Sequence, residues 1–321
     1  MSKHITVCAG IDTSKRKLDV ALAAKKERLQ VDNTPGGHER LSSWLRLHGV
    51  GRVGIEASGG YEFAVVAALR RHGFVVVVFQ PAQVRAYATF HLQRAKNDKI
   101  DAALIASCTA EVKKIHAPPD PRLAAFAGPL TAIEQMTDDL TRLKTRRESC
   151  RDARLRQLWK EEIARLQKLQ QAEFKALVAT IRQHQDLARC LALINSVEGI
   201  GLRTAVAILV RMPEIGQITR EQAAALAGVA PYDDDSGTYV GVRHIAGGRE
   251  RLRGALYAAA LPAAFRWNPQ LIALYRRLTA AGKLHKVALI ACARKLIIFA
   301  NTVVARGTPW TPQLATVLSD R

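Results

Sequence analysis

Two aspartates, Asp98 and Asp101, lie three positions apart in residues 96–102 (KNDKIDA), at a predicted helix start. Positions i and i+3 share one helix face, with Cβ atoms about 5–6 Å apart. Two carboxylates at this spacing can bind a divalent cation together. The alternative is that they only stabilise the helix N-terminus through its dipole. Which interpretation holds depends on whether other acids join the pair.

Two further acids accompany predicted strands. Asp12 follows the alternating pattern of residues 5–9, and Glu56 ends the apolar run of residues 52–56. Four carboxylates would suit Mg²⁺, whose octahedral shell is completed by water and phosphate oxygens. Two ions held by shared carboxylates would stabilise the attacking and leaving oxygens when a phosphodiester is displaced. The competing interpretations are a turn residue for Asp12 and a surface acid for Glu56.

A second chemical segment is residues 232–237 (YDDDSG), which place Asp233, Asp234 and Asp235 beside Ser236. Three acids repel phosphate unless a cation intervenes or the serine needs a neighbouring acceptor. The arginines that follow could bind phosphate oxygens in pairs; they include Arg243, Arg249 and Arg253. A serine hydroxyl in this setting is a candidate nucleophile for phosphoryl transfer. The alternative is an ordinary turn, for which Asp-Ser-Gly is a common sequence.

The first hundred residues predict the elements that would position the acids. Alternating segments indicate three strands, and helices and strands then alternate. The strands are predicted at 5–9, 17–24, 28–31, 52–56 and 74–79, and the helices at 39–48 and 61–71. The last strand is entirely apolar, as in a buried central or parallel strand. This order favours an α/β domain of the ribonuclease-H type.

Residues 130–191 contain neither proline nor glycine, and apolar residues recur at helical spacing. They predict one or two long helices, as an antiparallel pair or an intermolecular coiled coil. The arginines of this arm could follow a nucleic-acid backbone, or the arm could simply bridge domains. The prolines of residues 118–121 indicate a boundary. The predicted domains are therefore 1–117, 118–190 and 191–321.

In the last third, Gly199 and Gly201 separate two helical runs. Backbone N–H groups there could hold a phosphate, as in a helix-hairpin-helix element, although an ordinary helix connection is the alternative. The final helices carry a further basic face, comprising Lys283, Lys286, Arg294 and Lys295.

Composition points to a nucleic-acid partner. The 321 residues include 48 Lys and Arg against 28 Asp and Glu, which gives a net charge of +20. Such an excess favours binding to phosphates, because neutralising them releases counterions. The chain lacks an uncharged apolar run of about 18 residues that could span a bilayer, and it lacks a signal peptide pattern. The five cysteines favour neither disulfides nor a zinc site. We therefore expect a cytoplasmic protein without a membrane partner.

Taken together, these motifs resemble the insertion sequence one-ten family of DEDD transposases, which includes the Piv-type DNA invertases. The resemblance spans nearly the whole chain. It is carried by residues 10–12 (GID), 55–62 (IEASGGYE), 81–85 (PAQVR), 96–102, 199–201 (GIG), 227–231 (AGVAP), 235–237 (DSG) and 247–257. The order and spacing of the set are specific, although no single motif is.

The resemblance implies a RuvC-like ribonuclease-H domain, a coiled-coil arm and a mostly α-helical transposase domain with a helix-hairpin-helix element. It implies that Mg²⁺, or Mn²⁺ in its place, is bound by Asp12, Glu56, Asp98 and Asp101. Ser236 would attack DNA and form a phosphoserine link, with the two halves of the site coming from different subunits. Donor and target DNA would be paired with a structured bridge RNA. The acidic Asp233 and Asp234 depart from the expected pattern and leave their own role open.

The expected nucleic-acid contacts share basic or backbone donors; they are Arg85, Lys96, Arg243, Arg249, Arg253, Gly199 and Gly201. Two other functions compete with a serine recombinase that is a homodimer or homotetramer. One is a junction-resolving nuclease that uses water as its nucleophile, and the other is a non-catalytic nucleic-acid-binding protein. The DNA sites and the choice among insertion, excision and inversion stay open.

Overall fold

The computed structural model describes residues 7–23, 25–92, 98–113, 120–237 and 241–311, without the side chains of residues 98–100. The chain forms two compact units, Met1–Ala117 and Pro118–Arg321. Each unit has a hydrophobic core of its own.

The described part of the first unit is built on a five-stranded sheet. Its strands are β1 (Val7–Thr13), β2 (Lys17–Leu22), β3 (Arg28–Asp32), β4 (Val50–Glu56) and β5 (Val75–Phe79). The strand order is β3-β2-β1-β4-β5, in which β1 to β3 are antiparallel and β1, β4 and β5 are parallel. This is the topology of a ribonuclease-H-like fold. The predicted α/β domain is therefore confirmed.

Helices cover both faces of this sheet. They are α1 (Pro35–Leu47), α2 (Phe63–Arg71), α3 (Pro81–Phe90) and α4 (Asp98–Glu111). The larger core joins Ile11 and Ile55 of the sheet to apolar residues of α1 and α2 such as Leu45 and Leu69. A smaller core on the other face contains Ile105 of α4. Alternate residues of β1 and β4 thus face different helices.

The apolar strand β5 is parallel, as predicted, but it is not central. It ends the described sheet beside β4, and Val75 and Val78 are 43% and 39% exposed. Its continuous valines match the high strand propensity of β-branched residues, which does not require burial on both faces.

The described second unit is mostly helical, which confirms the predicted fold class. Its helices are α5 (Pro121–Ser149), α6 (Ala153–Arg182), α7 (Gln185–Asn195), α8 (Leu202–Arg211), α9 (Arg220–Leu226), α10 (Glu250–Pro262), α11 (Pro269–Ala280) and α12 (His285–Arg306). A π-helical turn, Ala263–Trp267, follows α10. Two short strands, β6 (Pro231–Tyr232) and β7 (His244–Ile245), form an antiparallel pair.

Helices α5 and α6 form an antiparallel pair. Leu140 and Leu143 of α5 pack with Ile163 of α6 in a separate small core. Nearer the unit's main core, Gln170 Nε2 donates to the carbonyl of Ile133 at 3.1 Å. Asp152 is the N-cap of α6, and its side chain accepts a hydrogen bond from the Leu155 N–H at 3.0 Å. The long helical segment is thus an intramolecular hairpin.

Helix α12 runs through the main core of the second unit. By length and composition it is the one described helix that could cross a bilayer, but 61% of its most apolar window is buried in the protein. Asn301 on this helix accepts from the Gly216 N–H and donates to the Ile218 carbonyl, both at 2.7 Å. Packing within the unit therefore accounts for the apolar composition of α12.

Candidate active site

Strand register places Asp12 and Glu56 side by side. Ile11 pairs with Ile55 across the parallel strands β1 and β4, so the next residues of the two strands are Asp12 and Glu56. Both are partly buried. Because side chains alternate between faces, these two carboxylates lie opposite the face that carries Ile11 and Ile55. They share the face that is covered by α4.

Two glycines allow α4 to approach that face closely. A Cβ atom at Gly10 would lie 2.2 Å from the Ala102 carbonyl oxygen, and one at Gly54 would lie 1.8 Å from Thr109 Oγ1. Arg52, which precedes Gly54 on β4, donates to the carbonyl of Val112 at 2.9 Å. Later residues of α4 therefore lie beside earlier residues of β4. The helix runs against the parallel strands and begins at their carboxyl ends.

The first turn of α4 thus lies at the end of the sheet that carries Asp12 and Glu56. Asp98 and Asp101 are both in this turn, and Asp101 is partly buried. The side chain of Asp98 and all of Lys96 are outside the described residues. Among the side chains that are described, no three His, Cys, Asp or Glu lie close enough to hold a metal ion. The fold brings the backbone positions of all four acids to one end of the sheet, and their oxygen donors match Mg²⁺ chemically.

One carboxylate that the sequence analysis missed lies next to Asp12 on the same face of the sheet. Asp19 of β2 is the cross-strand partner of Asp12, so their side chains share one face. Gln30 of β3 donates to Asp19 Oδ1 at 2.8 Å, beside a cleft of about 350 Å³ that Ala102 also lines. In the sequence, Asp19 alternates with the apolar Leu18 and Val20, and this pattern could have placed it on the opposite face of the strand from them.

The loop after Glu56 is held by a buried acid. Glu62 is 4% exposed, and its Oε2 accepts hydrogen bonds from the N–H and hydroxyl of Ser58 and from the Gly60 N–H at 2.9–3.1 Å. Burial alone would raise the pKa of the Glu62 carboxyl, but these hydrogen bonds and one from its own N–H hold the pKa below the usual value. Glu62 therefore fixes the turn that immediately follows Glu56.

Glu62→Gln should destabilise the first unit in a pH-dependent way. The carboxylate's contribution is complete above its unfolded-state pKa and is lost as pH falls through the lowered folded-state pKa. We expect a loss of about 1–3 kcal/mol near neutral pH, because hydrogen bonds to a charged group are lost. Denaturant unfolding followed at several pH values measures this. Glu27→Gln, at an exposed position of the same unit, is the control. A deficit that stays constant from about pH 7 to about pH 3 would contradict this assignment.

Ser236 is exposed and lies in residues 233–237, which follow the short strand β6. Two of the three preceding acids are engaged within the segment: Asp233 forms an ion pair with Arg243, and Asp235 Oδ1 accepts from the Gly241 N–H at 3.0 Å. A Cβ atom at Gly241 would lie 2.3 Å from the Asp234 carbonyl oxygen, so the backbone passes closely there. Asp233 and Asp235 thus shape the segment that presents the serine.

The arginines that were expected to bind nucleic acid have different surroundings. Arg249 forms two hydrogen bonds to the Glu214 carboxylate, at 2.9 and 2.7 Å, and Arg253 donates to the Gly247 carbonyl at 2.7 Å. With Arg243 bound to Asp233, all three arginines have intramolecular partners. Arg85 lies on the exposed side of α3. A phosphate would therefore have to compete with these intramolecular partners for the three arginines, whereas it could contact the exposed Arg85 directly.

Gly199 and Gly201 lie in the turn between α7 and α8. The positive φ of Gly199, 99°, and the 2.4 Å distance from a Cβ atom there to Ala263 Cβ explain the first glycine by backbone conformation and packing. Gly201 is the N-cap of α8, and a Cβ atom there would meet open space. In the first turn of α8, Arg203 is exposed beside Gly201, whereas Ala205 is buried.

Comparisons with known proteins relate both units to mobile DNA. A model of DEDD transposases of the IS110 type matches residues 9–153, and one described as the transposase IS116/IS110/IS902 family matches residues 191–276. The pilin gene-inverting proteins of Moraxella bovis and Moraxella lacunata are each 25% identical over 322 residues, covering 95% of this chain and 98% of theirs. An uncharacterised 43.6 kDa protein of insertion element IS110 from Streptomyces coelicolor is 31% identical over 136 residues, or 42% of this chain and 33% of its own.

Two solved structures of Thermus thermophilus RuvC are also similar. The one in complex with a Holliday junction substrate is 20% identical, with a TM-score of 0.27, and the match covers 32% of this chain and 90% of RuvC. The other is 24% identical, with a TM-score of 0.24, and the match covers 35% and 84%.

Proposed function

Because the chain belongs to the IS116/IS110/IS902 family of transposases, we propose that it cuts and rejoins DNA through a Mg²⁺-dependent serine nucleophile. The observation that carries the proposal is the register of β1 and β4, which sets Asp12 beside Glu56 at the strand ends where α4 begins. A family match alone would not require these acids to share one end of the sheet.

The proposed metal ligands are Asp12, Glu56, Asp98 and Asp101. Their carboxylates suit Mg²⁺, and Mn²⁺ as a substitute, because both prefer oxygen ligands. When bound, such ions would stabilise the attacking and leaving oxygens of a phosphodiester displacement. Glu62 holds the loop after Glu56, so it would limit the movement of that ligand.

The proposed nucleophile is Ser236. Its hydroxyl would lose a proton and form an ester bond to phosphorus, while the deoxyribose oxygen would leave as a hydroxyl. Attack of a second DNA hydroxyl on the phosphoserine would reverse the exchange and free the serine. The exposure of Ser236 supports access by DNA, and the ion pair between Asp233 and Arg243 reduces the negative charge near it.

The remaining proposals concern partners. The α5–α6 hairpin would act as a coiled-coil arm that joins subunits as a dimer or tetramer, which the exposed Leu158 and Leu169 support. A structured bridge RNA would pair with donor and target DNA while the basic chain holds phosphates.

We place the reaction in the cytoplasm. The similarity to pilin gene-inverting proteins makes inversion a candidate outcome beside insertion.

Reconstitution tests the metal and RNA requirements together. Purified protein is incubated with donor and target DNA, with Mg²⁺ or EDTA, and with or without RNA transcribed from the non-coding DNA beside the gene. We expect joined product only when both Mg²⁺ and the RNA are present, because the four carboxylates alone would repel the phosphate. An unrelated structured RNA is the control. Equal joining in EDTA would contradict the metal assignment, and equal joining with either RNA would contradict guidance.

A further inference from the structure

A cleft of about 320 Å³ in the second unit lies between α9, α11 and α12, and the chemistry proposed above does not use it. Arg220 of α9 and Arg294 and Lys295 of α12 line this cleft. Arg277 of α11 is close enough to act electrostatically on Lys295. Four positive side chains from three helices therefore converge here.

The described residues that line the cleft balance this charge only in part. Glu221 is the one acid among the described lining residues, and its Oε1 accepts from Arg220 Nε at 2.5 Å. Burial first, and then the charges of Arg220, Arg294 and Arg277, lower the pKa of the Lys295 ammonium. Like charges held together oppose folding unless an anion neutralises them.

Arg294 supplies an independent observation. Its Nε atom is buried and makes no hydrogen bond to any described residue. Buried polar atoms are nearly always hydrogen-bonded, so this donor requires an acceptor. Guanidinium groups match phosphate oxygens with two parallel hydrogen bonds. The cleft therefore combines excess positive charge with room for a ligand, and the covered Nε of Arg294 would donate to that ligand only after its side chain turns toward the cleft.

The apolar residues of the cleft indicate what kind of anion fits. Leu274 and Leu278 of α11 and Ile298 of α12 line it beside the cations. A free inorganic ion would leave this apolar surface unused, whereas a sugar attached to a phosphate would cover it. A transposase works on polymers in which each phosphate is joined to sugars.

We propose that the cleft binds one phosphodiester of a nucleic-acid strand, with Arg294 and Lys295 on the phosphate and the leucines against the adjoining sugar. Arg220 and Arg277 add long-range attraction. The inference rests on nucleic acid being the partner of this family enzyme, and not on Ser236 or the four carboxylates.

Binding measurements in EDTA test this site separately from catalysis. The full-length double variant Arg277→Gln/Lys295→Gln removes one cation that lines the cleft and one that acts electrostatically on it. Its control, Arg276→Gln/Arg306→Gln, removes two cations from exposed positions of the same helices that do not line the cleft. Fluorescence anisotropy is followed at several salt concentrations with labelled DNA and RNA of the same sequence. Thermal melting without nucleic acid shows that each variant folds.

We expect the cleft variant to bind about tenfold more weakly or worse, because the charge-assisted contact of Lys295 and the long-range attraction of Arg277 are both lost. In a plot of log K for binding against the logarithm of the salt concentration, the slope should be less negative by about 0.7–0.9 for each phosphate contact removed. The control should keep the wild-type slope. If the cleft variant loses affinity for only DNA or only RNA, that nucleic acid is the one that the cleft binds. Equal losses in both variants, or unchanged binding in both, would overturn the proposal, as would a change in oligomeric state with unchanged binding.

Discussion

Asp12→Asn is expected to abolish DNA cutting and joining while leaving the fold and DNA binding intact. Asparagine has nearly the same size and can still accept hydrogen bonds, but it lacks the charge that binds a divalent ion. Asp12 lies in the centre of the sheet, between β2 and β4, so its loss removes a ligand next to Glu56. Metal stabilisation of a displacement is worth several kcal/mol, which corresponds to a rate loss of about 10³-fold or more.

The measurement is the rate of strand joining in the reconstituted reaction at saturating Mg²⁺. Asp32→Asn is the matched control, because Asp32 is an exposed acid of β3 in the same sheet. The control should join DNA at the wild-type rate. If Asp12→Asn also keeps that rate, the carboxylates do not form the metal site. A loss of DNA binding in the variant would indicate a structural role for Asp12 instead.

Ser236→Ala is expected to stop strand cutting altogether, with DNA and RNA binding unchanged. The substitution removes one oxygen atom from an exposed segment, so it should not alter the β6–β7 pair or the ion pair of Asp233. Loss of a covalent nucleophile removes the whole pathway that depends on it, so we expect a rate loss of at least about 10⁴-fold. Ser149→Ala, at another exposed serine, controls for nonspecific effects.

This variant also separates the two enzymatic interpretations of the chain. A junction-resolving nuclease would use water as nucleophile, and Ser236→Ala would then cut DNA at the wild-type rate. A serine recombinase would make neither cut nor joined product. Cutting without joining by the variant would show that the serine acts only in the rejoining step, and would contradict the proposed first step.

Local patterns predicted the strands of the first unit because alternation and β-branched composition are properties of short segments. They also placed Asp12 and Glu56 at strand ends. The placement of α4 depends instead on Gly10 and Gly54. A side chain at either position would clash with this helix, and that requirement becomes visible only when the helix is packed on the sheet. Asp19 escaped notice because the register that sets it opposite Asp12 is a pairing between strands.

The second unit was harder to predict for a related reason. Arg249 is expected to bind phosphate, and its intramolecular partner Glu214, which lies 35 positions away in sequence, could not be predicted from the local pattern. Arg294 and Lys295 could be predicted as part of a basic helix face. Their convergence with Arg220 and Arg277 depends on the packing of three helices, which no single segment encodes.

The most direct test of the account is to map a covalent protein–DNA bond. A donor DNA nicked near the cleavage site lets the released strand diffuse away, so the protein-linked intermediate accumulates with Mg²⁺ and the RNA. The protein is then denatured and digested with nuclease and protease, and the peptides are sequenced by mass spectrometry. We predict a nucleotide linked through phosphate to Ser236, and to no other residue. Joined product without any such linkage, or with the linkage on another side chain, would contradict the account.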